Sequence, residues 1–386
     1  MPNERVIPVS ASPEPVRRPR SHKSRFLIAG LAFPTLLLVA AAVVAALLQP
    51  KVNLMVRLAA TGNEVLIELP WAEKDAKWAA PKGWVERYLG TPRQLTLGKA
   101  RDLSMEDIRQ LATWDSLRVL TVVGSSDTPE ELFVPLGDLT GVTTLVFWTA
   151  SGTFAGTTTG WIGKLSTLEE LQFYAMKDVR AADFRQLTRL HHLKKLRLEA
   201  LTGANGLYQT TFIWLRDKDF QGMDPFPNLE LLDLPSTLFV HDHTMVWIAQ
   251  HPKLMTLSID SAPDLKQSAF DELHRLTQLE TLRIGQFPKE IHIGPGLRGL
   301  HKLKTVGDFQ TLCADCARDL AQMQSLEKIS FNHADEDSIT NAALLKDSKS
   351  LRELDIPNFQ HRTLLEELSE KLPGVQVSKI FRGTAP

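Results

Sequence analysis

Two short clusters of residues have side-chain types that carry chemistry. Cys313 and Cys316 form a CADC motif, which has the spacing of a dithiol redox pair. His241, Asp242 and His243 bring two imidazoles and a carboxylate together, and both groups are metal ligands. The clusters raise two hypotheses, a redox site and a metal site.

Neither cluster has the context that its chemistry needs. No βαβ unit of the thioredoxin type surrounds the CADC motif, so a small buried apolar role for Cys316, with Cys313 nearby, is favoured over catalysis. A local disulfide stays open as an alternative if the compartment is oxidising. Two histidines separated by one residue are weak evidence for a metal, and a solvated turn is favoured there. We expect neither a metal nor a cofactor.

The common signatures of enzymes are also missing from the sequence. It contains no GxxxxGK[ST] phosphate loop, no HExxH and no GxSxG. We therefore expect a protein that is not an enzyme, and an unrecognised hydrolase is the least favoured alternative. Forty-four basic and forty-five acidic side chains give a formal charge of −1, which argues against binding to nucleic-acid phosphates.

One segment near the N-terminus predicts a membrane helix. From Phe26 to Leu48 the chain has 23 residues without a charge. At about 1.5 Å per residue this run is long enough to cross a hydrocarbon layer of roughly 30 Å. It is also longer than the apolar core of a cleavable signal peptide, which is the alternative interpretation. We predict a transmembrane helix over residues 26–49.

The charges around this segment predict its orientation. Six basic residues precede the apolar run and only Lys51 and Arg57 follow it closely. The positive-inside tendency then places the N-terminus in the cytoplasm, with residues 1–25 as a disordered basic tail. We expect a single-pass protein of the inner membrane, with everything after Gln49 exported.

The rest of the chain is organised by one recurring phrase of the LxxLxL type. The clear copies are LRVLTV at Leu117, VTTLVF at Val142, LEELQF at Leu168, LKKLRL at Leu193, LELLDL at Leu229, LMTLSI at Leu254, LETLRI at Leu279, LKTVGDF at Leu303, LEKISF at Leu326 and LRELDI at Leu351. Their starts are separated by 25, 26, 25, 36, 25, 25, 24, 23 and 25 residues. This constancy predicts a repeat architecture.

Each phrase alternates as a strand does, so its leucines point inward while the residues between them face solvent. The stretches between phrases, such as FDELHRLTQL and RTLLEELSEKL, have apolar residues at helical spacing. Strands pack about 4.8 Å apart and helices roughly 8 to 10 Å apart. Stacked units must therefore bend into a horseshoe, with a parallel sheet on the concave face and helices on the convex face.

The boundaries follow from the repeats. Residues 92–386 form the repeat domain, and residues 51–91 form a cap that covers its N-terminal end. Residues 372–381 are predicted to seal the C-terminal end.

With these phrases the chain resembles the leucine-rich-repeat family, over about residues 60–381. It is similar in particular to membrane-anchored repeat proteins of planctomycete-type bacteria, which carry a basic tail, a hydrophobic anchor and a tryptophan-rich preface. Here the preface is AATGNEVLIELPWAEKDAKWAAPKGWVERYLGTPRQLTL. Many members have an asparagine at a fixed position shortly after each strand, a regular asparagine ladder, and this chain lacks it. The resemblance implies an α/β solenoid that recognises a protein or glycan partner.

The concave face predicts where that partner binds. Trp148 and Tyr174 follow the inward residues of adjacent strands, and Lys195 and Arg197 lie on the next strand. Exposed aromatic residues beside charges are typical of contact hot spots. The long interval after Leu193 adds an insertion that contains Trp214, and insertions in repeat arrays often emerge on the binding face.

The candidate ligand-binding residues are therefore Trp148, Tyr174, Lys195, Arg197 and Trp214. The alternatives are that these aromatic residues only pack the insertion onto the solenoid, or that the repeats form an envelope scaffold without a specific ligand.

Overall fold

The computed structural model describes residues 23–69, 78–124, 128–149, 156–174, 181–199, 217–234, 240–288, 290–309, 311–331, 334–356 and 362–378. The chain divides into two compact units, residues 1–52 and residues 53–386. The second unit contains the repeats.

Every strand of the described residues belongs to one sheet, whose strand order is the order of the sequence. The strands are β1 (Glu64–Glu68), β2 (Thr91–Leu97), β3 (Val119–Gly124), β4 (Thr144–Thr149), β5 (Glu170–Tyr174), β6 (Lys195–Glu199), β7 (Leu231–Leu234), β8 (Thr256–Ser261), β9 (Thr281–Gln286), β10 (Thr305–Phe309), β11 (Lys328–Phe331), β12 (Glu353–Asp355) and β13 (Gln376–Ser378). β1 pairs with β2 in the antiparallel sense, and all later neighbours pair in parallel.

Helices connect the strands. They are α1 (Lys23–Ala60), α2 (Trp84–Leu89), α3 (Met105–Leu111), α4 (Gly156–Ile162), α5 (Ala181–Leu187), α6 (Asp242–Ile248), α7 (Gln267–Asp271), α8 (Ile293–Leu297), α9 (Ala314–Ala321), α10 (Glu336–Ala342) and α11 (Arg362–Lys371). Short 3-10 helices cover Ala100–Asp102, Glu130–Asp138, Asp217–Phe220, Glu272–Arg275 and Ala343–Asp347. A parallel strand pair needs such a crossover, and here each crossover returns the chain to the next position in the sheet.

The leucines of the repeated phrase form the centre of the core. Leu120 on β3 pairs in register with Leu145 on β4, which pairs with Leu171 on β5 and then with Leu196 on β6. All four side chains are fully buried. The predicted fold class, a leucine-rich-repeat solenoid of parallel strands and outer helices, is confirmed, and one long apolar helix precedes it.

The apolar N-terminal helix, α1, runs further than the predicted membrane segment. It continues to Ala60, and the segment Val39–Ala60 is long and apolar enough to cross a membrane, with a mean hydropathy of 1.7. Within the repeat unit, Leu54, Met55 and Leu58 are buried in the same core as the first strands. The last turns of α1 thus contribute side chains to the core of the repeat unit.

Side chains at the starts of the outer helices bind the next repeat. Asp217 accepts hydrogen bonds from the backbone N–H groups of His243, at 3.2 Å, and Thr244, at 2.8 Å. Asp242 does the same for the N–H of Lys266 at 3.1 Å, one repeat later. Gln267 and His292 exchange two hydrogen bonds of 2.7 and 2.8 Å. These contacts join neighbouring repeats in a chain that lacks a regular asparagine ladder.

Cys313 and Cys316 form a disulfide at the start of α9. Cys316 is buried and Cys313 packs partly against the core. The sulfur of Cys313 also accepts a hydrogen bond from the backbone N–H of Cys316 at 3.0 Å, which caps the helix. The local disulfide that the sequence left open is therefore present, and the motif has a structural place in the fold.

Candidate binding surface

The strands present a second face, opposite the buried leucines, which we call the open face. It is the face predicted to be concave. Its central row consists of Thr121, Val146, Gln172, Arg197, Asp233, Ser258, Arg283, Gly307, Ser330 and Asp355, and neighbours are paired in register from Thr121 to Gly307 and again from Ser330 to Asp355. The alternation of strand side chains produces this row, because inward and outward positions have a period of two.

Two aromatic rings lie side by side on this face. Trp148 on β4 pairs in register with Tyr174 on β5. Their ring centroids are 5.8 Å apart and the ring planes are inclined by 37°. Trp148 is 43% exposed, and few large apolar side chains among the described residues are as exposed. The sequence placed these two residues on adjacent strands, and the structure brings them into contact.

A polar network fixes the tyrosine. The Tyr174 hydroxyl donates to Oε1 of Gln172 at 3.0 Å, and Nε2 of Gln172 donates to Oε1 of Glu170 at 2.7 Å. Nζ of Lys195, on β6, lies 3.6 Å from the other oxygen of Glu170. Lys195, one of the predicted binding residues, is therefore already paired. Glu170, which sequence reasoning did not single out, is the residue that connects β5 with β6.

Arg197 differs from Lys195, the other cation of β6 on the open face. Its Nε atom is buried and has no hydrogen-bond partner, and among the described residues its guanidinium forms no ion pair. It forms no ion pair even with Asp233, which lies in register beside it on β7. Other cations of the open face have partners: Arg283 lies 3.9 Å from Asp308, and Nζ of Lys328 lies 2.6 Å from Asp355.

Valines extend the aromatic pair toward the N-terminal end of the sheet. Val119 and Val123 on β3 and Val146 on β4 point to the open face and are half-buried. Together with Trp148 and Tyr174 they form what we call the apolar patch. Sequence reasoning missed Val119 and Val123, although their outward positions in the phrase, where polar side chains are usual, carried the signal.

The remaining predicted residues lie elsewhere. Trp214 lies in residues 200–216, which are outside the described residues. His243 binds Asp217 through Nδ1 at 2.6 Å, and Asp242 binds Nζ of Lys266 at 2.6 Å. Within the described residues no group of three or more histidine, cysteine or carboxylate side chains is placed to hold a metal ion.

The comparisons with known proteins give a distant likeness. No family model matches the chain, and no curated protein matches it. Among solved structures, the chain is similar to an internalin (inlF) from Listeria monocytogenes, with 16% sequence identity and a TM-score of 0.45 over 72% of this chain and 71% of that one. At this distance residues of the internalin do not map onto positions here. The fold assignment rests on the strand order and register given above.

Proposed function

We propose that the protein is a membrane-anchored recognition module that binds a protein partner through the apolar patch of its open face. The observation that carries this proposal is the exposed Trp148, whose ring contacts that of Tyr174 and lies beside outward valines of β3 and β4. Aromatic residues at the centre of an apolar patch, with charges at its rim, have the composition of a protein contact site. An extended sheet face also suits binding better than catalysis, which needs groups that converge in a pocket.

A protein partner fits the patch better than a glycan. Sugars stack flat on an aromatic ring, whereas the rings of Trp148 and Tyr174 are inclined to one another and pack together. Val119, Val123 and Val146 offer no ring face at all, yet they suit the aliphatic or aromatic side chain of a protein. The glycan that the sequence left open is therefore the less favoured ligand.

The anchor in this proposal is α1. Its apolar segment, the basic residues that precede it and the positive-inside tendency support an N-terminus in the cytoplasm and an exported repeat domain. The disulfide between Cys313 and Cys316 supports the same topology, because disulfides persist in oxidising compartments and are rare in the cytoplasm.

Site-directed photo-crosslinking in the source cells tests the proposal. A photo-reactive amino acid replaces Val146 on the open face in one strain and Val246, an exposed residue of α6, in the matched control strain. We expect a discrete adduct with a second protein from position 146 only, and its yield should fall severalfold when Trp148→Ala is added.

Three results would count against the proposal. These are equal adducts from both positions, no adduct from position 146, or an adduct of this chain with itself. The last result would favour the scaffold alternative.

A further inference from the structure

The apolar patch ends abruptly at one strand boundary. On β4 and β5 the outermost described side chains of the open face are Trp148 and Tyr174, whereas the positions of β6 on this face are charged: Lys195, Arg197 and, in register with Tyr174, Glu199. Arg197 lies one strand and two residues from Tyr174, and two strands and two residues from Trp148. With strands about 4.8 Å apart and a rise of about 3.3 Å per residue, these separations are about 8 Å and about 12 Å. One partner segment can therefore contact the aromatic pair and Arg197 together.

The unpaired state of Arg197 shows which charge is missing. Lys195 has Glu170 as its partner, and Gln172 is used by Tyr174 and Glu170. Among the described residues this leaves the Arg197 guanidinium without a carboxylate partner at the rim of the patch. Its Nε is buried, so an incoming group meets the guanidinium through its Nη atoms. Buried or half-buried donors are normally satisfied, and a planar guanidinium is best satisfied by a carboxylate.

The surroundings of Arg197 also determine from which side the carboxylate approaches. Asp233 lies in register on the β7 side and Glu199 lies two positions further along β6, and both carry negative charge, whereas the residue in register on the β5 side is the uncharged Gln172. An incoming carboxylate is thus directed to Arg197 from the side of β5, which carries Tyr174 of the apolar patch. In an extended segment, which advances about 3.3 Å per residue, the separation of about 8 Å between Arg197 and Tyr174 corresponds to two or three residues.

From this geometry we infer that the partner protein presents a large apolar side chain to Trp148 and Tyr174, with an aspartate or glutamate two or three residues away that binds Arg197. This inference rests on the proposed function and specifies the chemistry of the partner segment.

Peptide selection on the full chain in lipid nanodiscs tests the inference. A display library of random peptides about twelve residues long is depleted on Trp148→Ala protein and then selected on the wild type. We expect enriched peptides to carry Leu, Phe or Trp with an acidic residue two or three positions away. Synthetic peptides with that acidic residue should bind about tenfold to hundredfold more tightly than their amide counterparts, the range expected for a hydrogen bond to a charged group.

Variants of the protein assign this selectivity to one side chain. Arg197→Gln should abolish the difference between the acidic and amide peptides and leave binding dependent on Trp148. Arg283→Gln is the matched control on the same central row, and the difference should persist there. A difference that survives Arg197→Gln, or peptides that depend on Trp148 without an acidic preference, would overturn the inference and leave the proposed function standing. Failure to enrich any Trp148-dependent peptide would overturn both.

Discussion

Arg57, in the last turn of α1, forms an ion pair with Asp107 of α3, with its Nε and Nη2 atoms 2.9 and 2.5 Å from the same carboxylate oxygen. The second oxygen of Asp107 accepts hydrogen bonds from the backbone N–H and the hydroxyl of Ser104, at 3.0 and 2.8 Å. Asp107 therefore caps the first repeat helix and holds the end of the apolar helix on the solenoid. Its carboxylate is mostly buried, which makes the contact stronger than a surface ion pair.

Removal of this carboxylate should destabilise the N-terminal end of the solenoid. Asp107→Asn should lower the free energy of unfolding by about 1–3 kcal/mol, from the lost cap and the unpaired arginine. Desolvation alone would raise the pKa of Asp107, but the hydrogen bonds from Ser104 and Arg57 outweigh it and lower the pKa. The contribution is therefore present at neutral pH and is lost as the pH falls through the lowered pKa.

Urea unfolding of residues 53–386 measures the effect. Arg109→Gln, which removes an exposed pair with Glu106, is the control and should change stability by about 0.5 kcal/mol or less. Equal effects of the two substitutions would contradict the role given to Asp107.

His251 should make the solenoid sensitive to moderate acid. It is fully buried, its Nε2 accepts from the backbone N–H of Phe226 at 3.2 Å, and its Nδ1 lies 2.9 Å from the carbonyl oxygen of Ile248. Burial lowers the pKa of His251 to about 4. As the pH falls below about 6.5, this histidine becomes protonated in the unfolded chain but stays neutral in the folded protein. The free energy of unfolding is therefore at its full value above that pH and falls by up to about 3 kcal/mol toward pH 4.

Unfolding free energies of wild type and His251→Leu, measured between pH 8 and pH 4, check this expectation. The variant should be less stable at pH 8, because the Phe226 N–H loses its acceptor, by about 1–3 kcal/mol. Its stability should decline less between pH 6.5 and pH 4. Parallel curves for the two proteins would show that His251 does not titrate as described.

Two adjacent residues of β4 should affect different properties, one the stability of the fold and the other the binding of a partner. Phe147 is fully buried and makes ring contacts with Phe133, Trp161 and Phe173 at centroid distances of 6.3 to 6.5 Å, whereas Trp148 points to the open face. Phe147→Ala should cost about 3–5 kcal/mol. Trp148→Ala should cost about 1 kcal/mol or less, from the lost contact with Tyr174. Thermal unfolding distinguishes the two, and a large loss for Trp148→Ala would make it a packing residue.

The topology of the chain has its own test. A single cysteine at position 302, an exposed site of the repeat unit, should react with a membrane-impermeant maleimide in spheroplasts. A cysteine at position 10 should react only after permeabilisation. The paired Cys313 and Cys316 provide an internal control, since neither carries a free thiol. The reverse labelling pattern would overturn the proposed orientation.

The sequence predicted those features that a periodic pattern can encode. The spacing of the leucines was sufficient to place Leu120, Leu145 and Leu171 in one inward row, and the same register brought Trp148 beside Tyr174. The sequence pattern could not predict contacts between distant parts of the chain that follow no period. Leu58, at the end of an apolar helix, is buried in the same core as residues of β1, β2 and α3. The local sequence does not predict this, because a membrane segment and a solenoid cap have the same apolar composition.

The candidate site shows the same division. The position of Arg197 on the open face followed from the phrase, but its lack of an ion pair depends on Glu170 binding Lys195 and on Asp233 forming no ion pair with Arg197 although it lies in register with it. Side-chain pairing of that kind is settled only when the rotamers of adjacent strands are known. The disulfide likewise required that a helix begin directly after Cys313, because its first turn brings Cys316 beside Cys313.

Oxidative footprinting in the native membrane tests most directly whether the open face is a contact site. The oxidation rates of Trp148 and Tyr174 are compared between the source membranes and the purified full chain. Met255, which directly precedes β8 and is 39% exposed, is the internal reference. The proposal predicts severalfold slower oxidation of Trp148 in the membranes, while Met255 reacts equally in both samples. Equal oxidation of Trp148 in the two samples would show that nothing covers the apolar patch where the protein works.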